Sequence, residues 1–118
     1  GTRFIPAAES NAQEGYRKMI WEATANDLVL SAAISGVPAN WLKASVEAAG
    51  YTPEMLASAQ KVDFSEERMS DAKAWKDVWS AGQGVVGITQ PETTAEIVAK
   101  LHREYVAAVT ATANPRYL

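Results

Sequence analysis

Apolar residues recur at helical spacing along much of the chain. Tyr16, Met19, Ile20 and Ala23 fall at i, i+3, i+4 and i+7, one face of a helix. Ser10-Asn11-Ala12-Gln13 reads as its capping box, in which hydroxyl and amide side chains satisfy free backbone donors. Trp21 lies off that stripe, so it widens the buried face or marks a contact with another part of a larger protein. Leu42, Val46 and Ala49 give a second inner face, with Asn40 as its cap and Gly50 as its stop. Thr52-Pro53-Glu54 starts a short helix that fades near Gln60, with Pro at the first helical position and an acid near the positive end of the dipole. Ser70 and Asp71 open a further helix through Trp79, with Ala72, Trp75 and Trp79 on one face. The longest helix, near 91–112, starts at Gln90-Pro91-Glu92 and ends at Asn114-Pro115. Val98, Leu101, Tyr105 and Ala108 keep its rhythm, and Glu96 with Lys100 is a favourable i, i+4 pair.

Two stretches read as strands. Residues 28–34 are apolar without helical amphipathicity, which predicts a short buried strand weakened by Ala32 and Ala33. Residues 2–5 are β-prone and stopped by Pro6. The fold class is therefore mostly α with minor β (α+β), with helix in more than half of the residues. The core centres on Ile20, Leu30, Leu42, Val46, Trp75, Trp79, Val98 and Leu101. Residues 61–69 read as a polar surface loop.

Composition narrows the class. The length of 118 residues suits one domain. At 47% hydrophobic and 21% charged, the chain falls outside general disorder. No run approaches the roughly 20 apolar residues of a membrane helix. No basic-then-apolar leader is visible, which predicts a cytoplasmic location. Without cysteine there is neither a disulfide framework nor a thiolate nucleophile or ligand. A net charge of -3 with scattered Lys and Arg argues against nucleic acid as the main partner.

Candidate chemistry is concentrated in two places. In Ser80-Ala81-Gly82-Gln83-Gly84-Val85-Val86-Gly87, the spacing of Gly82, Gly84 and Gly87 matches a dinucleotide fingerprint by letter. However, a helix rather than a strand precedes it, and no acidic residue follows roughly 20 residues on at the end of a second strand. Tight packing between helices, or a backbone approaching a ligand, are the remaining readings. Gly1-Thr2 at a strand end would offer free N–H groups and a hydroxyl, the donors a phosphate wants. His102, the only histidine, reads as a solvated helix position with no partner for metal binding or serine activation. Glu66, Glu67 and Asp71 read as a solvated cluster. The four tryptophans are most simply core or interface residues, and Trp75 and Trp79 lie one helical turn apart.

GTRFIPAAESNA, SGVPANWLKASVEAAG and AKAWKDVWSAGQGVVGI occur in an order and spacing that resembles the C-terminal third of nitronate monooxygenases, formerly 2-nitropropane dioxygenases. The resemblance runs from Gly1 to about Ala108. It implies a (β/α)8 TIM-barrel flavoenzyme with FMN as cofactor and an added, mostly helical domain. Residues 1–8 would then be the end of a late barrel strand with a phosphate-binding loop. Residues 9–88 would be the helical domain and returning Gly-rich loop, and residues 89–118 a C-terminal helix packed on the barrel. Cofactor contacts would fall to Gly1, Thr2, Arg3 and Phe4 at the phosphate, and to Ser80, Gly82 and Gln83 on the returning loop. The implied reaction oxidises alkyl nitronates with O2 to carbonyl compounds and nitrite. The family's usual catalytic histidine lies on an earlier strand, so no catalytic residue and no metal site is expected in this segment. A barrel of about 250 residues makes this chain a fragment that is inactive alone, with the remainder of the barrel as its partner and a homo-oligomer compatible with it. The FMN-dependent enoyl reductase shares the Gly-Thr-Arg-Phe and Ala-Gly-Gln elements and is the alternative, as is a stand-alone helical domain.

Overall fold

The computed structural model describes residues 1–62, 76–113 and 116. Helix accounts for roughly half of the described residues, and their strands form a small antiparallel pair, an α+β arrangement. The chain opens with a 3-10 turn at Thr2–Phe4. Helix α1 (Glu14–Glu22) follows, then strands β1 (Leu28–Ser31) and β2 (Ala39–Leu42). Short helices α2 (Lys43–Ala48) and α3 (Pro53–Leu56) come next. A further 3-10 turn at Gln83–Val85, after one at Ala25–Asp27, precedes the long helix α4 (Thr94–Thr112). Among the described residues no helix is long and apolar enough to cross a membrane.

β1 and β2 pair in the register Leu28–Leu42, Val29–Trp41, Leu30–Asn40 and Ser31–Ala39. On its other edge β2 receives the chain that leads into the Gly-rich segment. Trp41 bridges Ser80, and the Leu42 N–H donates to the Trp79 carbonyl at 2.9 Å. Two apolar clusters flank this ribbon. Ala33, Ile34, Trp41, Val46, Tyr51, Leu56 and Val78 fill one. Ile20, Leu42, Ala81, Val85 and Ile88 fill the other. Trp41 and Leu42 face opposite clusters because successive strand side chains alternate. A single short strand therefore joins both halves of the core.

Several elements form where the pattern places them, with shifted ends. Gly50 closes α2 at φ 93°, and the Tyr51 N–H returns to the Val46 carbonyl at 3.0 Å, a left-handed stop that glycine adopts without steric cost. Thr52 caps α3 through its hydroxyl, but the helix ends at Leu56 rather than near Gln60. There the Ser58 hydroxyl accepts the Gln60 N–H and donates to its carbonyl, a local turn that competes with helix. Ser10 closes a turn on the Ala12 N–H instead of capping α1, whose N-cap is Gln13. Thr93, not the Gln90-Pro91-Glu92 segment, caps α4, with Glu96 completing the box. Asn40 lies within β2 rather than at a helix start, because Trp41 pairs with Val29 and fills the core.

Other expectations are overturned. Residues 2–5 form no strand: the Phe4 and Ile5 N–H groups donate to the Gly1 and Thr2 carbonyls, winding the segment into a 3-10 turn. β1 stops at Ser31, and the Gly36 N–H closes a turn on the Ala32 carbonyl. Ile20, Leu42 and Val46 are core, but Leu30 is 67% exposed, Val98 53% and Leu101 40%. Leu30 alternates away from the core, and α4 runs out along the surface with Ile97 as its one buried residue. Trp79 is half-buried and lies just past the helical residues at 76–77. Trp75, the acidic cluster, residues 63–69 of the polar stretch and Asn114-Pro115 lie outside the described residues.

Candidate functional site

Ala81, Val85 and Ile88 are buried and anchor the Gly-rich segment in the second cluster. Two of the glycines between them, Gly82 and Gly84, meet the first 3-10 turn. The Gly82 N–H donates to Thr2 Oγ1 at 2.8 Å. A Cβ on Gly82 would sit 3.2 Å from that hydroxyl oxygen, and one on Gly84 3.8 Å from Thr2 Cβ. Gly87 takes φ 90°. The glycine spacing thus serves close packing of one 3-10 turn on another. It does not form the strand, loop and long helix of a dinucleotide fold.

The seven residues singled out from sequence therefore converge in part. Thr2 and Gly82 touch. Gly1, Arg3 and Phe4 flank Thr2 in its turn, and Gln83 follows Gly82 on the exposed side. The Thr2 hydroxyl accepts from Gly82 and keeps its own O–H as a donor. The N–H groups of Thr2 and Arg3 lie at the open start of their turn, where a helix leaves donors unpaired. Ser80 does a different job. Its side chain is exposed, while its carbonyl accepts from the Tyr16 hydroxyl. Burial pushes the Tyr16 phenol above its ordinary pKa, and the bond to Ser80 opposes that. The Tyr16 ring stacks on Trp79 with centroids 5.1 Å apart and planes at 14°, which fixes the entry to the Gly-rich segment.

Arg3 reaches across to α4. Its Nη1 contacts Glu104 Oε2 on α4 at 3.4 Å. Its Nε is buried with no hydrogen-bond partner among the described residues. Beside it lies a cleft of about 250 Å3 lined by Arg3, Gly84, Val86, Gly87, Ile88, Lys100 and Glu104. Sequence reasoning passed over Lys100 and Glu104 as site residues. Their i, i+4 spacing on one face of α4 was the available signal. His102 lies on the exposed length of α4. No cluster of three or more His, Cys, Asp or Glu suited to a metal occurs among the described residues.

These residues bear on FMN unequally. The Thr2 hydroxyl, the open N–H groups of the first turn and the Arg3 guanidinium suit a phosphate. The cleft beside them is small for an isoalloxazine, since pockets that enclose such ligands run to about 300–1,000 Å3. No protein-family model matches the chain, and no curated protein matches it.

Proposed function

We propose that the chain is the C-terminal segment of an FMN-dependent nitronate monooxygenase, which oxidises alkyl nitronates with O2 to carbonyl compounds and nitrite. The observation that carries this reading is the Thr2–Gly82 hydrogen bond. It joins two of the three motifs on which the family resemblance rests, through residues 80 positions apart. Its partners are residues whose types suit a phosphate.

In this reading the isoalloxazine supplies the redox chemistry when FMN is bound. The chain's own part is binding and orientation. The Thr2 O–H and the N–H groups of Thr2 and Arg3 hold phosphate oxygens, and the Arg3 guanidinium offsets their charge. Gly1, Phe4, Ser80 and Gln83 border that end, and Gly82 fixes the Thr2 hydroxyl so that its hydrogen points away from the Gly-rich turn. No residue here serves as the base. His102 sits on an exposed helix surface, and the nitronate and the remainder of the barrel are supplied from outside these residues.

The test is the complete product of the gene that encodes this chain. Purified with bound FMN, it should release nitrite and consume O2 when given a propane-2-nitronate. Absence of flavin would overturn the proposal. Reduction of an enoyl thioester by a reduced nicotinamide, without nitronate turnover, would replace it with the enoyl-reductase alternative. The 118-residue chain alone should bind FMN weakly or not at all, and a micromolar dissociation constant in a flavin fluorescence titration would contradict that.

A further inference from the structure

Strand β1 has one edge with which no described residue pairs. In an antiparallel ladder the N–H and C=O of one residue point to the same side, and that side alternates along the strand. The Leu42 N–H donates to the Trp79 carbonyl, away from β1. Trp41 and Ala39 therefore turn towards β1, where Val29 and Ser31 face them. Leu28 and Leu30 turn their main-chain groups outward, and neither has a partner there among the described residues. The Val62 N–H, on the Ala33 carbonyl at 2.8 Å, lies past the end of the strand. We propose that this edge pairs with the same edge of a second copy of the chain, antiparallel about a two-fold axis at Val29.

The symmetry of the edge selects the occupant. Leu28 and Leu30 stand either side of Val29, so Leu28 of each copy meets Leu30 of the other. Each such pair exchanges both its N–H groups, and Val29 meets Val29 across the axis as a closely spaced pair without hydrogen bonds. Side chains fit the same arrangement. Leu30 is 67% exposed, and in the dimer it packs beside Leu28 of the second copy. Strand side chains alternate, so Val29 lies on the opposite face. There it borders an apolar groove of about 250 Å3 walled by Tyr51, Pro53 and Leu56, which the second Val29 adjoins. The charged residues of that groove, Lys43 and Glu47, are of opposite sign, so its rim is neutral and two copies do not repel. Leu28-Val29-Leu30-Ser31 carries no lysine, proline or other device that keeps edges apart. β2 offers no such place, because β1 takes one of its edges and Ser80 the other. α4 also exposes apolar side chains, but its main-chain groups bond within the helix.

The pairing is independent of the flavin reading, and its test needs no cofactor. A four-residue edge is small beside the roughly 800 Å2 per partner of a standard interface, so the dissociation constant should lie at about 10–300 μM. Sedimentation velocity of the chain from about 5 μM to about 1 mM measures it. Leu30→Lys charges the open edge, and a two-fold interface counts the substitution twice, so association should weaken at least about ten-fold. Leu30→Pro removes an outward donor that β2 does not use, and should weaken association similarly with the circular dichroism unchanged. Single cysteines read the register, since the chain has none of its own. Val29→Cys should cross-link two copies on mild oxidation, because its Cα atoms pair at about 4.5 Å. Leu30→Cys should not, because its Cα atoms stand about 8 Å apart, beyond the reach of about 7 Å that a disulfide allows. Tyr105→Lys on α4 should leave association as it is. A monomer at every concentration, equal cross-linking at both positions, or association that survives Leu30→Lys but is lost in Tyr105→Lys would overturn the proposal. The cysteine pair keeps the test valid if Leu30→Pro fails to fold.

Discussion

Ser45 holds the approach to the candidate site, and replacing it with alanine measures how much. Its side chain is buried on α2, where the hydroxyl accepts the Trp79 N–H at 2.7 Å and donates to the Asp77 carbonyl at 3.1 Å. Both partners lie on the segment that leads into Ser80 and Gly82, Asp77 at the end of its helical residues and Trp79 just past them. In Ser45→Ala the Asp77 carbonyl, on an exposed residue, regains water at little cost. The part-buried Trp79 N–H loses its acceptor, and a buried unpaired donor costs about 1–3 kcal/mol. The expected loss is about 2 kcal/mol. With a urea m-value of about 2 kcal/mol/M, the midpoint falls by about 1 M at unchanged slope. Urea unfolding followed by tryptophan fluorescence and circular dichroism reads this directly. Ser58→Ala is the matched control, because its hydroxyl also makes two hydrogen bonds, but in an exposed turn. It should stay within about 0.5 kcal/mol of the parent. A midpoint change below about 0.2 M in Ser45→Ala, or one equal to that of the control, would refute the reasoning.

Three further outcomes follow from the geometry. Ile97→Ala should cost about 2–4 kcal/mol, whereas Leu101→Ala on the exposed stretch of α4 should cost less than about 1 kcal/mol, compared by chemical denaturation. Gly82→Ala keeps an allowed φ of -86° but sets its methyl 3.2 Å from the Thr2 hydroxyl, which should cost about 1 kcal/mol and lower the melting temperature by about 4 °C. The Glu9 carboxylate accepts the Thr94 N–H and hydroxyl, chiefly the former, and its pKa is lowered from 4.5. Because the folded pKa lies below the unfolded one, the tether is present above pH 4.5 and is lost as pH falls through the folded pKa. The Thr94 amide shift should follow that titration, and Glu9→Gln should abolish it.

What the sequence made legible depended on whether local chemistry or tertiary contact decided each element. Gly50 and Thr52 do their work within a few residues, so stop and cap formed where expected. β2 escaped notice because Ala39-Asn40-Trp41-Leu42 has no strand pattern apart from its partners: β1 on one edge, Trp79 and Ser80 on the other. Leu30 reads as core from an apolar run, and Val98 and Leu101 from periodicity, and neither signal says what lies against the face. At the site, Thr2 reads as a phosphate donor and Gly82 as part of the returning loop, yet nothing local says that Gly82 donates to Thr2. Arg3 was placed as a neighbour of the phosphate. Its reach across to Glu104 came only with the position of α4.

The hydrogen bond from Gly82 to Thr2 closes a loop of 80 residues. Closing so long a loop is entropically costly for an isolated contact, so this one persists only while the intervening elements are folded. A ligand held where the two turns meet would therefore bind the native state and not the unfolded ensemble. Its binding energy would appear as stability of the whole chain, growing as RT ln(1 + [L]/Kd). Occupancy and global folding are thus one equilibrium here. A substitution in the distant core weakens ligand binding, without touching the site, once it leaves an appreciable unfolded fraction.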